Sequence, residues 1–84
     1  MWFLYVVECS DKTLYTGITT DITRRVIEHN TSKKGAKYTR SRRPVSLVFS
    51  KECTSRSHAL KEEYKFKKLS RKKKLKIITI SESK

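Results

Sequence analysis

Two neighbouring runs of strand-forming residues at the N-terminus constrain the fold of this chain most strongly. Residues Trp2 to Val7 are all aromatic or aliphatic, and a second run follows at Thr13 to Thr16. The intervening segment, Ser10 to Lys12, has the polar composition of a tight turn. The pattern predicts a β-hairpin of two antiparallel strands.

The hairpin has a definite register if Ser10 to Lys12 forms its loop. Val7 then lies opposite Tyr15, and Tyr5 lies opposite Gly17. Both tyrosines face one side of the sheet, where diagonal neighbours reach each other. A shift by one residue would place them on opposite faces. Gly17 leaves room for another group beside Tyr5, although a glycine that only ends the strand is an equally good interpretation.

The next segment has the pattern of a helix. Asp21 suits the N-cap of a helix over residues 22–29, and Asn30 is a stop signal. Arg25 and His29 are four positions apart and share one face. The apolar residues that we expect to pack on the sheet are Ile22, Val26 and Ile27.

A third strand is predicted over residues 45–49, directly after Pro44. Apolar and polar residues alternate in it, so its three apolar members are expected to share one face. These are Val45, Leu47 and Phe49. The segment before it, residues 31–43, reads as a polar, basic loop.

Two helices complete the chain. The first covers residues 55 or 57 to 68 and places Glu63 on an otherwise apolar stripe, where a carboxylate is costly to bury without a partner. The apolar members of that stripe are Ala59 and Phe66. The second helix begins after Ser70 as its cap and runs over residues 71–78. Its inward-facing residues are expected to be Leu75 and Ile78.

These elements predict an α+β fold, a small three-stranded antiparallel sheet flanked by helices in the order β-β-α-β-α-α. Eighty-four residues suffice for one domain and no more. We expect that domain to cover residues 1–80. Residues 81–84 are expected to form a disordered tail.

The net charge of +13 is the strongest compositional signal, and it is unevenly distributed. Residues 1–23 carry a net charge of −2. Lys33 to Arg43 contains six bases and no acid, and Lys61 to Lys76 contains nine bases and two acids. Such a field favours a polyanion, of which a nucleic-acid backbone is the commonest. A lysine-rich face that only improves solubility would explain a much smaller charge.

The predicted nucleic-acid contacts lie in the basic loop and at the start of the last helix. Bases around Tyr38 can bind phosphates while its ring stacks on a nucleobase; a solvated, flexible loop is the alternative. The bases that open the last helix oppose its dipole, which an anion would relieve. The predicted contact residues are Lys33, Lys34, Lys37, Tyr38, Arg40, Arg42, Arg43, Lys72, Lys73 and Lys74.

The cysteines and the N-terminal apolar run bear on the compartment. Cys9 and Cys53 lack metal-type spacing, so two reduced, partly buried thiols are favoured over a disulfide or a ligand pair. Trp2 to Val7 is too short for a signal peptide core or a membrane span and lacks a basic leader. We therefore expect a soluble cytoplasmic protein that does not bind membranes.

The tripeptides Phe3-Leu4-Tyr5 and Tyr15-Thr16-Gly17, followed by Arg25 and Glu63, resemble the motif of the GIY-YIG endonuclease domain. The resemblance extends from Trp2 to about Ile78 and is closest to the short, stand-alone bacterial members. It implies a three-stranded antiparallel sheet with flanking helices, in agreement with the order above. It also implies hydrolysis of DNA phosphodiester bonds with one Mg²⁺ or Mn²⁺.

The resemblance assigns a role to each motif residue. Tyr5 is the general base that activates water, Tyr15 orients the water or the phosphate, and Arg25 stabilises the phosphate in the transition state. Glu63 holds the metal, and His29 matches a position that assists in some members. One carboxylate suffices for a hard cation that keeps several waters. A tyrosine with a pKa of about 10 is a poor base, but the metal, Arg25 and the positive field would favour its phenolate.

Each of these residues also has a plain structural interpretation. A strand tyrosine usually packs, and a lone arginine is usually a surface base. Glu63 can pair with Lys67 on the next turn. His29 is favoured as a packing or helix-end residue over a proton shuttle. The combined pattern outweighs these interpretations for the four motif residues but not for His29.

The chain departs from the family pattern in three respects. The small and β-branched positions of the tripeptides differ, the asparagine that follows the glutamate in some members has no counterpart, and we expect no separate DNA-targeting domain. From the motif and the charge we predict a small metal-dependent endonuclease. The alternative is a nucleic-acid-binding module of the same fold with little or no cleavage activity. A basic protein-interaction module fits the charge least well, and no second protein is implied.

Overall fold

The computed structural model describes residues 1–82, which form three strands and four helices. In chain order these are β1 (Trp2–Glu8), β2 (Leu14–Thr19), α1 (Ile22–Thr31), α2 (Lys37–Arg40), β3 (Ser46–Cys53), α3 (Arg56–Lys68) and α4 (Arg71–Glu82). The strands form one antiparallel sheet in the order β2-β1-β3. The predicted fold class and element order are confirmed, and the short helix α2 is an addition within the predicted basic loop.

The N-terminal hairpin has the predicted register. Tyr5 pairs with Gly17, and the Cys9 amide closes the loop by donating to the Thr13 carbonyl at 2.8 Å. Tyr15 lies two residues before Gly17 on β2. Because side chains alternate along a strand, Tyr5 and Tyr15 share one face of the sheet, as predicted.

The third strand differs from the prediction because it contains a β-bulge. Phe49 pairs with Val6, whereas Leu47 pairs with Val7, so Val48 is an extra residue on β3. The extra residue reverses the alternation of side chains. Leu47 therefore shares the face of Val7, and Phe49 lies on the opposite face. The expectation that the three apolar residues of this strand share a face is wrong for Phe49.

Each face of the sheet carries a hydrophobic cluster. The cluster beneath α3 and α4 contains Leu4, Val6, Cys53, Ala59, Phe66 and Ile78. The cluster on the α1 side contains Tyr5, Val7, Cys9 and Val45, with Tyr15 and Val26 at its margin. Both cysteines are free, and both are more completely buried than the partly buried thiols that the sequence predicts. The two tyrosines of the motif therefore belong to the α1 side of the sheet.

Two helix faces are rotated relative to the prediction. Ile27 in α1 is 55% exposed. The fully buried His29, two residues further on, lies on the side of α1 that faces the sheet, so Ile27 points away from the sheet. In α4, Ile78 is buried as expected, but Leu75 is 36% exposed and Ile77 packs against the core instead. The expectations for Ile27 and Leu75 are therefore wrong.

The helix ends follow the predicted capping. The Asp21 carboxylate accepts from the Arg24 amide at 3.0 Å, and the Ser70 hydroxyl accepts from the Lys73 amide at 3.3 Å. Helix α4 continues to Glu82, beyond the domain end expected at residue 80. The remainder of the expected tail, residues 83 and 84, lies outside the described residues. Within residues 1–82, no helix is both long and apolar enough to cross a membrane.

Candidate active site

Tyr5 lies at the centre of the candidate site. Its side chain is 1% exposed, and its ring lies directly over the backbone of Gly17 on β2. A Cβ atom at Gly17 would be 2.5 Å from the Tyr5 hydroxyl oxygen and 2.7 Å from its Cζ atom. Glycine is therefore required at this position because the tyrosine ring occupies the space of any side chain.

His29 on α1 joins Tyr5 to the segment around α2. The Tyr5 hydroxyl and His29 Nε2 form a buried hydrogen bond of 2.7 Å. The other ring nitrogen, Nδ1, is 3.0 Å from the Thr39 hydroxyl, which donates to the Ala36 carbonyl at 2.8 Å. Thr39 is fully buried. The three side chains thus form a continuous buried chain of hydrogen bonds that ends at Tyr5.

Ionisation of Tyr5 is controlled by burial and by three neighbouring groups. Burial raises the pKa of Tyr5, and the adjacent Arg25 guanidinium lowers it. Tyr15 and Glu63 raise this pKa further. Burial is the larger effect, so the phenol stays protonated at neutral pH. The expectation that positive charge favours the phenolate is correct in sign for Arg25, but burial outweighs it.

Arg25 is anchored through one of its terminal nitrogens. Nη1 donates to Glu28 Oε1 at 3.1 Å and to the Lys34 carbonyl at 2.7 Å. The Arg25 side chain is 24% exposed, so it lies between the buried Tyr5 and solvent. Its neighbour Arg24 is exposed. Of the two adjacent arginines, Arg25 is therefore the one that lies beside Tyr5.

Tyr15 stands at the inner end of a stack that leads to the surface. Its ring contacts His29 edge to face, with centroids 5.3 Å apart, and stacks on Tyr38 at 5.9 Å. The Arg42 guanidinium lies 4.0 Å from the Tyr38 centroid and pairs with Asp11 at 3.1 Å. Tyr38, which we predicted to stack on a nucleobase, thus contacts Tyr15 and Arg42 and is 40% exposed.

Glu63 occupies the predicted stripe of α3. Its side chain is 20% exposed and lies 3.5 Å from the ammonium of Lys67, a side chain that is 54% exposed. An ion pair this open to solvent is worth about 0–1 kcal/mol, so a cation can displace Lys67 from the carboxylate. Among residues 1–82, no cluster of three or more His, Cys, Asp or Glu could hold a metal. The donor set fits Mg²⁺ or Mn²⁺, which bind through one or two carboxylates and keep several waters.

The arginines of the basic loop hold that loop to the fold. Arg43 donates to the His29 carbonyl at 2.5 Å and to the Ser32 carbonyl at 2.6 Å, which satisfies the C-terminal end of α1. Arg40 donates to the Lys33 carbonyl at 2.6 Å. The exposed lysines of the segment are Lys33, Lys34 and Lys37.

The predicted contacts on α4 have two kinds of environment. Lys72 and Lys73 are exposed. Lys74 is partly buried, with its ammonium 5.8 Å from the Phe66 ring centroid. Arg71, which precedes them, donates to the Lys12 carbonyl at 2.7 Å and ties the start of α4 to the hairpin loop.

Sequence reasoning missed the residues that support the site. Thr39 binds His29, and Glu28 binds Arg25. An isolated threonine or glutamate in a basic segment carries no distinguishing signal in the sequence. Gly35 had a weak one, as one of only two glycines in the chain. A Cβ atom there would be 2.7 Å from the Glu28 carbonyl oxygen, so this glycine lets the chain return past α1 to reach His29.

Stability is expected to fall as the pH is lowered from about 6.5 to about 4. Burial, and then the charge of Arg25, lower the pKa of His29 from 6.5 to about 4. Below pH 6.5 the unfolded chain binds a proton that the folded chain does not. Up to roughly 3 kcal/mol of the free energy of unfolding is therefore lost by pH 4. Urea unfolding at a series of pH values measures this slope. The slope should flatten in His29→Gln and persist in His58→Gln; parallel profiles for His29→Gln and wild type would contradict the assignment.

Sequence and structure comparisons find relatives that span almost the whole chain. The family model described as the GIY-YIG catalytic domain matches residues 1–76. A UPF0213 protein of Desulfotalea psychrophila is 58% identical over 81 residues, covering 96% of this chain and 74% of that protein. A UPF0213 protein of Syntrophus aciditrophicus is 55% identical over 76 residues, covering 90% and 87%. The solution NMR structure of a UPF0213 protein from Bacillus halodurans has a TM-score of 0.60 at 44% identity, covering 95% of this chain and 85% of that one.

Proposed function

This chain belongs to the GIY-YIG family, and we propose that it is a small divalent-metal-dependent endonuclease that hydrolyses phosphodiester bonds in DNA. The observation that carries the proposal is the convergence on Tyr5. His29 binds its hydroxyl and Arg25 lies beside it, and the negative charge of Glu63 on α3 is the smallest of the effects that raise its pKa. A phosphate at this point would meet a proton acceptor, a cation and a carboxylate able to hold a metal. The net charge of +13 supports nucleic acid as the substrate.

The hydrogen-bond chain suggests where the proton of Tyr5 goes. The Thr39 hydroxyl has one hydrogen, which is directed at the Ala36 carbonyl at 2.8 Å. The Thr39 oxygen then accepts a hydrogen bond from Nδ1–H of His29. Nε2 therefore carries no hydrogen and accepts a hydrogen bond from the Tyr5 hydroxyl. The Ala36 amide lies 3.3 Å from the same Nδ1 and favours the opposite tautomer. The Thr39 contact, at 3.0 Å, is the shorter and decides our assignment.

In this arrangement Tyr5 and His29 act as one base. As Tyr5 takes a proton from the attacking water, its own proton passes to His29. The water oxygen bonds to phosphorus, the bond from phosphorus to the leaving oxygen breaks, and that oxygen takes a proton from solvent. With its pKa lowered to about 4, His29 is a weak base in the free protein. The negative charge of a bound phosphate opposes that shift and assists the transfer.

The remaining residues would bind and orient the phosphate. Because Nη1 of Arg25 is engaged, its Nε and Nη2 donors are left for the Tyr5 oxygen and the phosphate, to which they can form charge-assisted hydrogen bonds. Tyr15, positioned by His29 and Tyr38, would orient the water or the phosphate. Glu63 would hold Mg²⁺ or Mn²⁺, which when bound supplies positive charge that stabilises the transition state.

The basic residues would contribute to binding in two ways. The exposed lysines would bind phosphates directly; they are Lys33, Lys34, Lys37, Lys72 and Lys73. The bases already engaged with the fold would act through their positive field; they are Arg40, Arg42, Arg43 and Lys74. We also propose a cytoplasmic location, because buried free cysteines suit a reducing compartment.

A cleavage assay tests the proposed function. Labelled single-stranded, duplex and branched DNA would be incubated with the protein in Mg²⁺ or Mn²⁺ and, separately, in EDTA. We expect metal-dependent cleavage, and a fall of roughly 100-fold or more in Tyr5→Phe and Glu63→Gln while binding is retained.

The matched control is Lys67→Ala, which removes the ion-pair partner of Glu63 but not the carboxylate. It should cleave within about twofold of wild type, because an exposed pair contributes little. Cleavage that persists in Glu63→Gln would contradict the proposed mechanism. Binding without cleavage by any preparation would favour the nucleic-acid-binding module instead.

A further inference from the structure

The outer flank of α3 carries an exposed aromatic surface that the proposed mechanism does not use. Tyr64 is 63% exposed and Leu60 is 38% exposed, and neither belongs to the two hydrophobic clusters. They border an open depression of about 460 Å³. None of the six described residues that line it is acidic: Arg56, Ser57, Leu60, Lys61, Tyr64 and Lys65.

Leu60 and Tyr64 lie on the flank of α3 that also carries Glu63. On the opposite flank of α3, Glu62 pairs with Lys51 of β3 at 3.4 Å. By the helix period, Leu60 and Tyr64 lie on the flank of α3 away from this contact with β3, the edge strand of the sheet. Tyr64 directly follows Glu63 around the helix, since successive residues are about 100° apart. A polymer that passes Glu63 would therefore meet Tyr64 next.

We propose that this flank of α3 binds single-stranded nucleic acid, with Tyr64 stacked on an unpaired base and Lys61, Lys65 and Lys68 bound to the flanking phosphates. An exposed ring can stack only on a base that has left its own helix, which intact duplex does not offer. This inference rests on the proposed function and specifies its substrate class. The substrate is a nucleic acid with a single-stranded segment beside the cleaved bond.

Lys68 occupies a position from which it can change partner. Its ammonium lies 4.3 Å from the centroid of the Tyr64 ring. A cation over an exposed ring is held more weakly than a stacked nucleobase. An incoming base therefore displaces the ammonium, which remains close enough to bind an adjacent phosphate.

The composition of the flank distinguishes nucleic acid from a membrane. Membrane-surface helices have a continuous apolar face, several residues long, opposite a basic one. Here one tyrosine and one leucine are set among four bases: Arg56, Lys61, Lys65 and Lys68. An isolated aromatic ring within a basic groove is the arrangement found in single-strand binding surfaces.

Binding measured in EDTA tests the proposal without any cleavage. Fluorescence anisotropy would compare a labelled single strand with the matched duplex, using wild type, Tyr64→Ala and Tyr64→Phe. We expect Tyr64→Ala to lose roughly 5- to 100-fold in affinity for the single strand and less than about twofold for the duplex, while Tyr64→Phe binds like wild type. Ile27→Ala, which removes another exposed apolar side chain, should leave both affinities unchanged.

The lysines are tested through the salt dependence of single-strand binding. Replacing Lys61, Lys65 and Lys68 with alanine should reduce the slope of log affinity against log salt by about 2. An unchanged slope, or equal single-strand affinity for wild type and Tyr64→Ala, would overturn the proposal. Tyr64-dependent binding to phosphatidylserine vesicles or to polyglutamate, without such binding to oligonucleotides, would also overturn it.

Single-strand binding by the Tyr64 flank of α3 and the proposed nuclease activity can fail separately. If the protein cleaves nothing but binds single strands through Tyr64, the binding proposal stands and the nuclease assignment is wrong. If it cleaves DNA with a binding affinity that is independent of Tyr64, the nuclease assignment stands and the binding proposal is wrong.

Discussion

Replacement of Arg25 by alanine is expected to slow cleavage by roughly 10³-fold, mainly through kcat. The guanidinium lies beside the Tyr5 hydroxyl, and in the proposed mechanism it stabilises the negative charge that develops on the phosphate. Arg25→Lys should recover only part of the rate, because an ammonium keeps the charge but lacks the fork of donors. Single-turnover cleavage by the three proteins measures the effect. Arg24→Ala, which removes the exposed neighbouring arginine, should stay within about twofold of wild type.

A structural effect of Arg25 has to be separated from a chemical one. Arg25→Ala also removes the hydrogen bond to the Lys34 carbonyl and leaves Glu28 without its partner, which we expect to cost about 1–3 kcal/mol of stability. Glu28→Ala breaks the same ion pair but leaves the guanidinium in place. Equal losses of rate in Arg25→Ala and Glu28→Ala, with equal losses of stability, would show that Arg25 acts only by holding the fold.

Replacement of Gly17 by alanine is expected to reduce cleavage by at least about 100-fold and stability by about 1–3 kcal/mol. The new Cβ atom would lie 2.5 Å from the Tyr5 hydroxyl oxygen, and the Tyr5 ring is buried and hydrogen-bonded to His29. The ring cannot give way without breaking that bond. No glycine among residues 1–82 has a positive φ, so alanine fits the backbone of Gly17 and the whole effect comes from the ring.

A double-mutant cycle isolates this contact. In a Tyr5→Ala background the space over Gly17 is empty, so Gly17→Ala should no longer reduce stability. Denaturant unfolding of the four proteins measures the coupling. If Gly17→Ala costs the same in both backgrounds, the strand itself, and not the tyrosine ring, is the cause of the penalty.

The hairpin shows why local pattern was sufficient for part of the site. A three-residue loop between two strand-forming runs allows few registers, and only one places Tyr5 opposite Gly17. The same reasoning was wrong for β3, because the bulge at Val48 arises from pairing with β1 and leaves no trace in the alternation. It was also wrong for Ile27. The apolar side chain of Ile27 predicts a position facing the sheet, but the hydrogen-bonded His29 lies on that side of α1 and Ile27 is exposed.

The contacts of His29 have no signature in the sequence. A single histidine at the end of a helix indicates a packing residue. In the folded chain it is fully buried and bound on one side to Tyr5 and on the other to Thr39, which is ten residues away along the chain. Such a hydrogen-bond chain depends on how β1, α1 and α2 meet, and no periodicity records it.

The sequence by itself determined the class of fold, through strand and helix periods and capping residues, and the family, through the resemblance of its four spaced motif residues to a known motif. Only the tertiary structure decided how those residues work together. It buries Tyr5 deeply enough to raise its pKa, sets Arg25 against that effect, hydrogen-bonds His29 to Tyr5, and adds Thr39 and Glu28 to the candidate site. Burial and long-range contacts come from packing separate elements together, and therefore have no counterpart in the order of the residues.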